Sequence, residues 1–360
     1  MKSKYVIALV LTSSTFAELH AQEICGLQLA KYDLPAPPEP IFRNGFENVL
    51  AFQAEVPVST ISALEPARGT GLGPALTTVM PPALGITPTI TVSSPTAGAA
   101  IARTVQVQGT WTGPVNTGIT VFGVAATIIG NQFVSEPLQI APGNTEITVR
   151  AKTLDGLSAA QTLTVAVTAA PAQDFGIALS SRVGFAPFRL KPRIAVQGIT
   201  GVQSIAIDFN GDGANDYTGS VANIPIYTYS NPGVYRMRVV LDTAAQSFTR
   251  FRTLAVPGVP ETRAQACAVL AHLRARLTVN DSAGALKAIA QPLRGPMEAL
   301  FTELGANRPA FAARLGTIAN GIFTPVNAEL MLVNEVGADL QGTPIHLTRG
   351  ADGIWRIDSL

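Results

Sequence analysis

Histidine and cysteine are the scarcest chemistry in this 360-residue sequence, at three and two residues. Once the amino-terminal segment carrying His20 is set aside only His272 and His346 remain beside the two cysteines, which leaves no ligand to spare for a Cys₂His₂ zinc centre, and none is expected. Charge is also thin. Charged residues make up 14% of the chain and the net charge is +1, so the electrostatic footprint of a nucleic-acid binder is missing. Past the first residues no stretch reaches the roughly 18 apolar residues of a membrane-spanning helix; the longest run, Ile119 to Ile129, is broken by Gly123. Neither a Gly-x-Ser-x-Gly elbow, a phosphate loop nor His-Glu-x-x-His occurs, and no nucleophile has a base beside it. The expectation is a non-catalytic protein.

What the sequence does contain begins with an export pattern. Lys2 and Lys4 precede the apolar run Tyr5 to Leu11, and small and polar residues lead to Leu19-His20-Ala21. This is the layout of a signal peptide over residues 1–21, cleaved after Ala21. Removing Lys2, Lys4 and Glu18 takes 25 basic and 24 acidic residues to 23 of each. The mature chain is expected to be soluble and periplasmic, at the cell surface or extracellular. Cys25 and Cys267 then meet an oxidising compartment in which pairing is allowed, and both the paired and the free state stay open.

Four segments follow. Residues 22–87 are rich in Pro, Gly and Ala, as in "LPAPPEP" and "PARGTGLGPALTT", and lack sustained periodicity, which predicts a flexible linker. Within it "IFRNGFE" at 41–47 resembles a short motif of exported Gram-negative proteins, and Ile41, Phe42 and Phe46 could dock on a folded neighbour. Residues 88–170 switch to period two. Val105 and Val107, then Ile147, Val149 and Ala151, then Leu163, Val165 and Val167 alternate with polar residues between Gly, Pro and Asn turns, predicting an antiparallel β-sandwich. The stretches "SPTAGAAIARTVQVQGTW" and "NQFVSEPLQIAPGNTEITVRAKTLDG" resemble a bacterial immunoglobulin-like domain of the kind attached to secreted glycan-acting enzymes.

Residues 172–257 carry "YTYSNPGVYRMRVVLD", which resembles a polycystic-kidney-disease-type (PKD) domain, a second extracellular immunoglobulin-like sandwich. Tyr235, Met237, Val239 and Leu241 share one face of its strand and Arg236 and Arg238 the other. In residues 260–360 Ala266, Val269, Leu270, Leu273 and Leu277 form a helical stripe, Asp281 is placed to cap a second helix, and Met297, Leu300, Phe301 and Leu304 mark a third. Strand-like "AELMLV", "TPIHLT" and "GIWRIDSL" follow, with Asp352-Gly353 as a hairpin turn. The order of elements resembles the cystatin-like or ketosteroid-isomerase-like fold. The expected class is thus multidomain: two antiparallel immunoglobulin-like β-sandwiches followed by a small α+β domain.

The candidate site is "DFNGDGAND". Asp208, Asn210, Asp212 and Asp216 stand at positions 1, 3, 5 and 9 of a calcium-type loop, with the Ala214 carbonyl at position 7 and Gly213 for the sharp turn. Gly219 replaces the Glu an EF-hand needs at position 12, so the expectation is a structural Ca²⁺ ion, with a solvated Asx turn as the competing outcome. A basic stripe of Arg189, Lys191 and Arg193, near Arg236 and Arg238, has the charge to meet acidic envelope polysaccharide; a solvated, aggregation-resistant sheet face is the alternative. Glu329 and His346 are the candidates for a pocket in the last domain, His272 is expected in solvent and Trp355 in the core. The function these readings imply is a cell-envelope or surface interaction protein, carbohydrate-binding or protein-binding. An enzyme or small-ligand carrier built on the last domain is the alternative.

Overall fold

A computed structural model describes residues 23–24, 27–28, 85–181, 183–336 and 339–359. The expected signal peptide, Cys25 and the 41–47 motif lie outside the described residues. The segment expected to be linker throughout opens instead with a short antiparallel hairpin, β1 (Glu23–Ile24) and β2 (Leu27–Gln28), in register Glu23↔Gln28 and Ile24↔Leu27.

Eleven strands make up the first β region: β3 (Thr89–Ser94), β4 (Ala100–Ile101), β5 (Thr104–Val105), β6 (Gln108–Thr112), β7 (Gly118–Val121), β8 (Val124–Ala125), β9 (Thr127–Ile129), β10 (Gln132–Val134), β11 (Leu138–Gln139), β12 (Gly143–Lys152) and β13 (Ser158–Val167). While β5 and β11 pair separately, one sheet has the order β3-β6-β10-β9 and a second β4-β13-β12-β7-β8. The inward side chains of both, among them Ile128 and Phe133 from the first and Ile119, Ile147, Val149 and Leu163 from the second, meet in one core. This is a β-sandwich, and its alternation of buried and exposed residues along β12 and β13 follows from the period of the strand.

The second β region holds β14 (Asp174–Leu179), β15 (Phe188–Leu190), β16 (Pro192–Gln197), β17 (Val202–Asp208), β18 (Tyr217–Gly219), β19 (Tyr227–Tyr229), β20 (Gly233–Thr243) and β21 (Ser247–Val256). A four-stranded sheet β18-β17-β20-β21 faces the pairs β14-β16 and β15-β19. Met237, Val239 and Leu241 of β20 are fully buried against Phe188 and Leu190 from the opposite layer.

The remaining residues form α1 (Val259–Thr278), α2 (Ser282–Leu286), α3 (Gln291–Leu304), α4 (Arg308–Ala313) and the antiparallel meander β22 (Thr317–Phe323), β23 (Asn327–Val336), β24 (Asp339–Arg349) and β25 (Trp355–Ser359). Asp281 caps α2 by accepting from the Gly284 amide, as its position predicts. Buried Leu273, Leu277 and Phe301 from the helices pack on Leu330, Ile345 and Leu347 from the sheet. Cys267 of α1 is disulfide-bonded; the sequence has one other cysteine, Cys25.

The three regions are bonded to one another. Asn116, buried and with φ at 59°, exchanges two hydrogen bonds with the Trp355 backbone: the Trp355 amide donates to Asn116 Oδ1 at 2.8 Å and Asn116 Nδ2 donates to the Trp355 carbonyl at 3.1 Å. An amide side chain of the first β region thereby bonds the backbone of the last strand as a neighbouring strand would. Beside it Gly118 lies so close to the Asp352 carbonyl that no Cβ fits. Gln106 makes the same kind of reciprocal pair with Thr253 of the second region, both bonds at 2.8 Å, and Arg252 Nη2 meets Glu136 Oε2 at 3.0 Å.

Candidate functional site

The loop that follows β17 is wound around its own side chains. Asp208, 2% exposed, accepts from the Gly211 amide through Oδ1 (2.6 Å) and from the Gly213 amide through Oδ2 (2.9 Å). Both glycines have positive φ, 81° and 95°, which L side chains rarely adopt. Two Asx turns follow, Asn210 Oδ1 accepting from the Asp212 amide at 2.9 Å and Asp212 Oδ1 from Ala214 at 2.8 Å. Asp216 closes the loop by accepting from the Phe209 amide at 2.7 Å. The Ala214 amide and then the Asn210 side chain hold the Asp212 carboxyl below its ordinary range.

Beneath the loop, Tyr229 donates to the Phe209 carbonyl at 2.9 Å, and the Phe209 and Tyr227 rings stack with centroids 4.5 Å apart. Burial, with Tyr227 and Asp216 nearby, pushes the Tyr229 phenol well above its usual value, so it stays a donor. Arg238 lies over the loop from β20. It donates to the Gly213 carbonyl (3.2 Å) and Asn215 Oδ1 (3.0 Å), and its Nε stands 3.9 Å from Asp208 Oδ2.

In kind, the donors fit a hard cation: each carboxylate keeps lone pairs beyond those the amides use. Among the described residues, however, no group of three His, Cys, Asp or Glu side chains converges as a metal site requires. An ion here would rest on a mixed set that includes Asn210 Oδ1 and the Ala214 carbonyl, and it would share the loop with Arg238.

The other candidates are dispersed. Arg189, Lys191 and Arg193 are exposed and alternate with buried Phe188, Leu190 and Pro192. They stand on the outer side of the β15–β16 layer, whereas Arg236 and Arg238 stand on the outer side of the opposite sheet, so the expected single basic stripe is split across two faces. The split arises because both sets point away from the one core between the layers. Glu329 and His346 are direct cross-strand partners on β23 and β24, but both turn away from the core that buries their neighbours Ala328, Leu330, Ile345 and Leu347.

His272, expected in solvent, is 2% exposed. The helical stripe marks one buried face of α1, and His272 belongs to a second one, covered by α2 and by a turn of the first β region. Its Nε2 lies 3.0 Å from the Gly284 carbonyl and its Nδ1 3.9 Å from Asp155 Oδ1. Burial lowers its pKa, against the opposing effect of the Gly284 carbonyl and Asp155. Asp155, which no local motif marks, also takes Arg276, while Lys287 Nζ donates to its carbonyl at 2.6 Å.

No family model matches this chain, and no curated protein matches it. Solved structures that align with this chain include immunoglobulin and fibronectin(III)-like modules. The fibronectin(III)-like modules of Clostridium thermocellum CbhA align over 48% of this chain and 96% of their own, at 13% identity and a TM-score of 0.19. A mixed-linkage glucan utilization protein of Bacteroides ovatus, solved with a heptasaccharide, aligns over 47% of each chain at 15% identity and a TM-score of 0.18. Latent PorU of Porphyromonas gingivalis aligns over 48% of this chain and 20% of its own, at 10% identity and a TM-score of 0.27. Scores this low carry no argument about activity, and the sandwich assignment rests on strand order and shared cores. No described helix is long and apolar enough to cross a membrane.

Proposed function

We propose that this chain is an exported, non-catalytic interaction protein of the cell envelope or cell surface, in which two immunoglobulin-like sandwiches, the second PKD-like, and a small cystatin-like α+β domain hold a fixed arrangement and present binding faces to an envelope polysaccharide or protein. The observation that supports it is the set of bonds between regions: Asn116 with Trp355, Gln106 with Thr253 and Asp155 with Arg276. Such pairs, two of them reciprocal and all at least partly buried, suit a rigid presenter, whereas beads on a string would have no use for them. The test is retention of the mature chain on isolated envelope fractions: retention that the isolated sandwiches reproduce only weakly supports the reading, and no retention on any fraction overturns it.

Calcium enters this proposal as a structural ion on Asp208, Asn210, Asp212, Ala214 and Asp216. Its support is the alternation of oxygen donors in a loop already turned by two Asx turns and two left-handed glycines. Binding only to the folded state raises stability by about 2.7 kcal/mol at a hundredfold excess over Kd. A calcium-dependent rise in Tm that chelator reverses and Asp212→Ala abolishes is the expected result; an unchanged Tm at millimolar calcium leaves the loop as a metal-free turn counterbalanced by Arg238.

A further inference from the structure

The second β region contains eight basic and five acidic residues between 172 and 257, and each of its acids is engaged by a partner outside the strip, including Asp174 at the far end of the β14 face that carries Gly176 and Ala178. Asp174 pairs with Arg250, and Asp208 faces Arg238 and two amides. Asp212 and Asp216 accept from amides within their own loop. Asp242 takes Ser204 and Ser247. None of these carboxylates reaches Arg189, Lys191 or Arg193, whose side chains make no hydrogen bond or ion pair among the described residues and are exposed. Their cross-strand neighbours are short: Thr228 opposite Arg189, Ala178 opposite Arg193 and Gly176 opposite the next residue outward, Ala195. Three cations therefore stand free above a flat, low floor. An extended chain advances about 3.3 Å per residue, so alternate residues place the charges about 6.6 Å apart in a line.

At that separation the three charges repel one another, and among the described residues no carboxylate pairs with them. A linear anion lying along the strip would. The floor has no aromatic side chain on which a base could stack, and a single exposed apolar side chain, Ile226 on the Thr228 side, is too little surface to enter a bilayer, which favours a flexible chain of repeated carboxylates over nucleic acid or lipid. We propose that the Arg189–Lys191–Arg193 strip is the docking surface of this protein for a linear acidic polysaccharide, with the carboxylates of successive sugar units meeting successive cations. This rests on the envelope-binding reading above and specifies its face and its ligand class.

The test measures binding of the mature full chain to polygalacturonate and to uncharged dextran between 50 and 200 mM NaCl. Three proteins are compared: the wild type, the variant Arg189→Gln/Lys191→Gln/Arg193→Gln, and a charge-matched control, Arg103→Gln/Arg150→Gln/Lys152→Gln, drawn from exposed residues of the first β region. Far-UV circular dichroism melts establish that the variants fold. The expected result is polygalacturonate binding by the wild type and not of dextran, a loss of about tenfold or more in the strip variant, less than twofold in the control, and a salt dependence shallower by about two to three counterions in the strip variant, at about 0.7–0.9 per anionic contact.

Equal losses in the strip and control variants overturn the inference in favour of bulk charge. Tighter binding to duplex DNA or to phosphatidylglycerol vesicles than to polygalacturonate overturns the ligand class. Binding that the strip variant leaves untouched overturns the strip while sparing the envelope reading. No polygalacturonate binding, with retention on envelope fractions intact, does the same; loss of both removes the proposed function as well.

Discussion

Two turns, each built on an aspartate, are used in opposite ways. Asp208 turns inward: each of its oxygens accepts from an amide of its own loop, and among the described residues the charge that reaches it from outside that loop, Arg238, comes from the neighbouring strand. Asp155 turns outward. The turn between β12 and β13 leaves its own sandwich and enters the helical layer of the last region, where Leu154 joins the buried cluster and Asp155 takes Arg276 and approaches His272. One loop stabilises a region from within and the other joins two regions. A local pattern of alternating donors announces the first; nothing within ten residues announces the second, because its partners lie more than a hundred residues away.

That contrast is breakable at both turns. Leu154→Ala empties a site in the carboxy-terminal core and is expected to cost about 2–5 kcal/mol, although the residue belongs by sequence to the first β region; urea unfolding followed at Trp355 reports it. A loss below 1 kcal/mol would mean that the turn rests on the helical layer without being part of its core. Asp208→Ala leaves the Gly211 and Gly213 amides without an acceptor, at about 1–3 kcal/mol. Its effect should stay within the second β region, so hydrogen exchange should accelerate in β17 and β20 and not in α1.

The smallest effect is a pH dependence at the junction. The folded state holds the His272 pKa below the ordinary 6.5, chiefly by burial. Below 6.5 the unfolded chain therefore binds the proton first, and stability that is fully present above that value declines as pH falls through the folded pKa. Asp155, Arg276 and Lys287 are the charged groups facing the ring, the first favouring protonation and the other two opposing it. The urea midpoint should drop between pH 7.5 and 5 in the wild type and drop less in His272→Gln; parallel drops would remove His272 from the account.

Most of the strands were legible because one face of each is buried, and burial on one face imposes period two. Val149 and Val165 show it in the first sandwich, as Met237 and Val239 do in the second. The stripe on α1 was legible for the same reason at period 3.6. It misled at His272 because α1 is covered on two sides, and a helix with two buried faces places polar residues inside wherever a partner such as the Gly284 carbonyl waits. The hairpin of β1 and β2 was hidden in a Pro- and Gly-rich stretch because two residue pairs are too short for a periodic signal. Asn116 and Gln106 were invisible for another reason. Each satisfies backbone groups of a distant strand, and an amide side chain that does so looks in sequence like any surface residue.

The claim that the regions act as one unit depends most directly on the bond between Asp155 and Arg276. A double-mutant cycle with Asp155→Ala and Arg276→Ala in the full chain isolates it from the separate contact of Arg276 with Asp281. The account predicts that the double variant is more stable than the sum of the single losses by about 1 kcal/mol or more. Additivity to within about 0.3 kcal/mol would contradict it, and would show the first sandwich and the carboxy-terminal region to be neighbours that touch without holding each other.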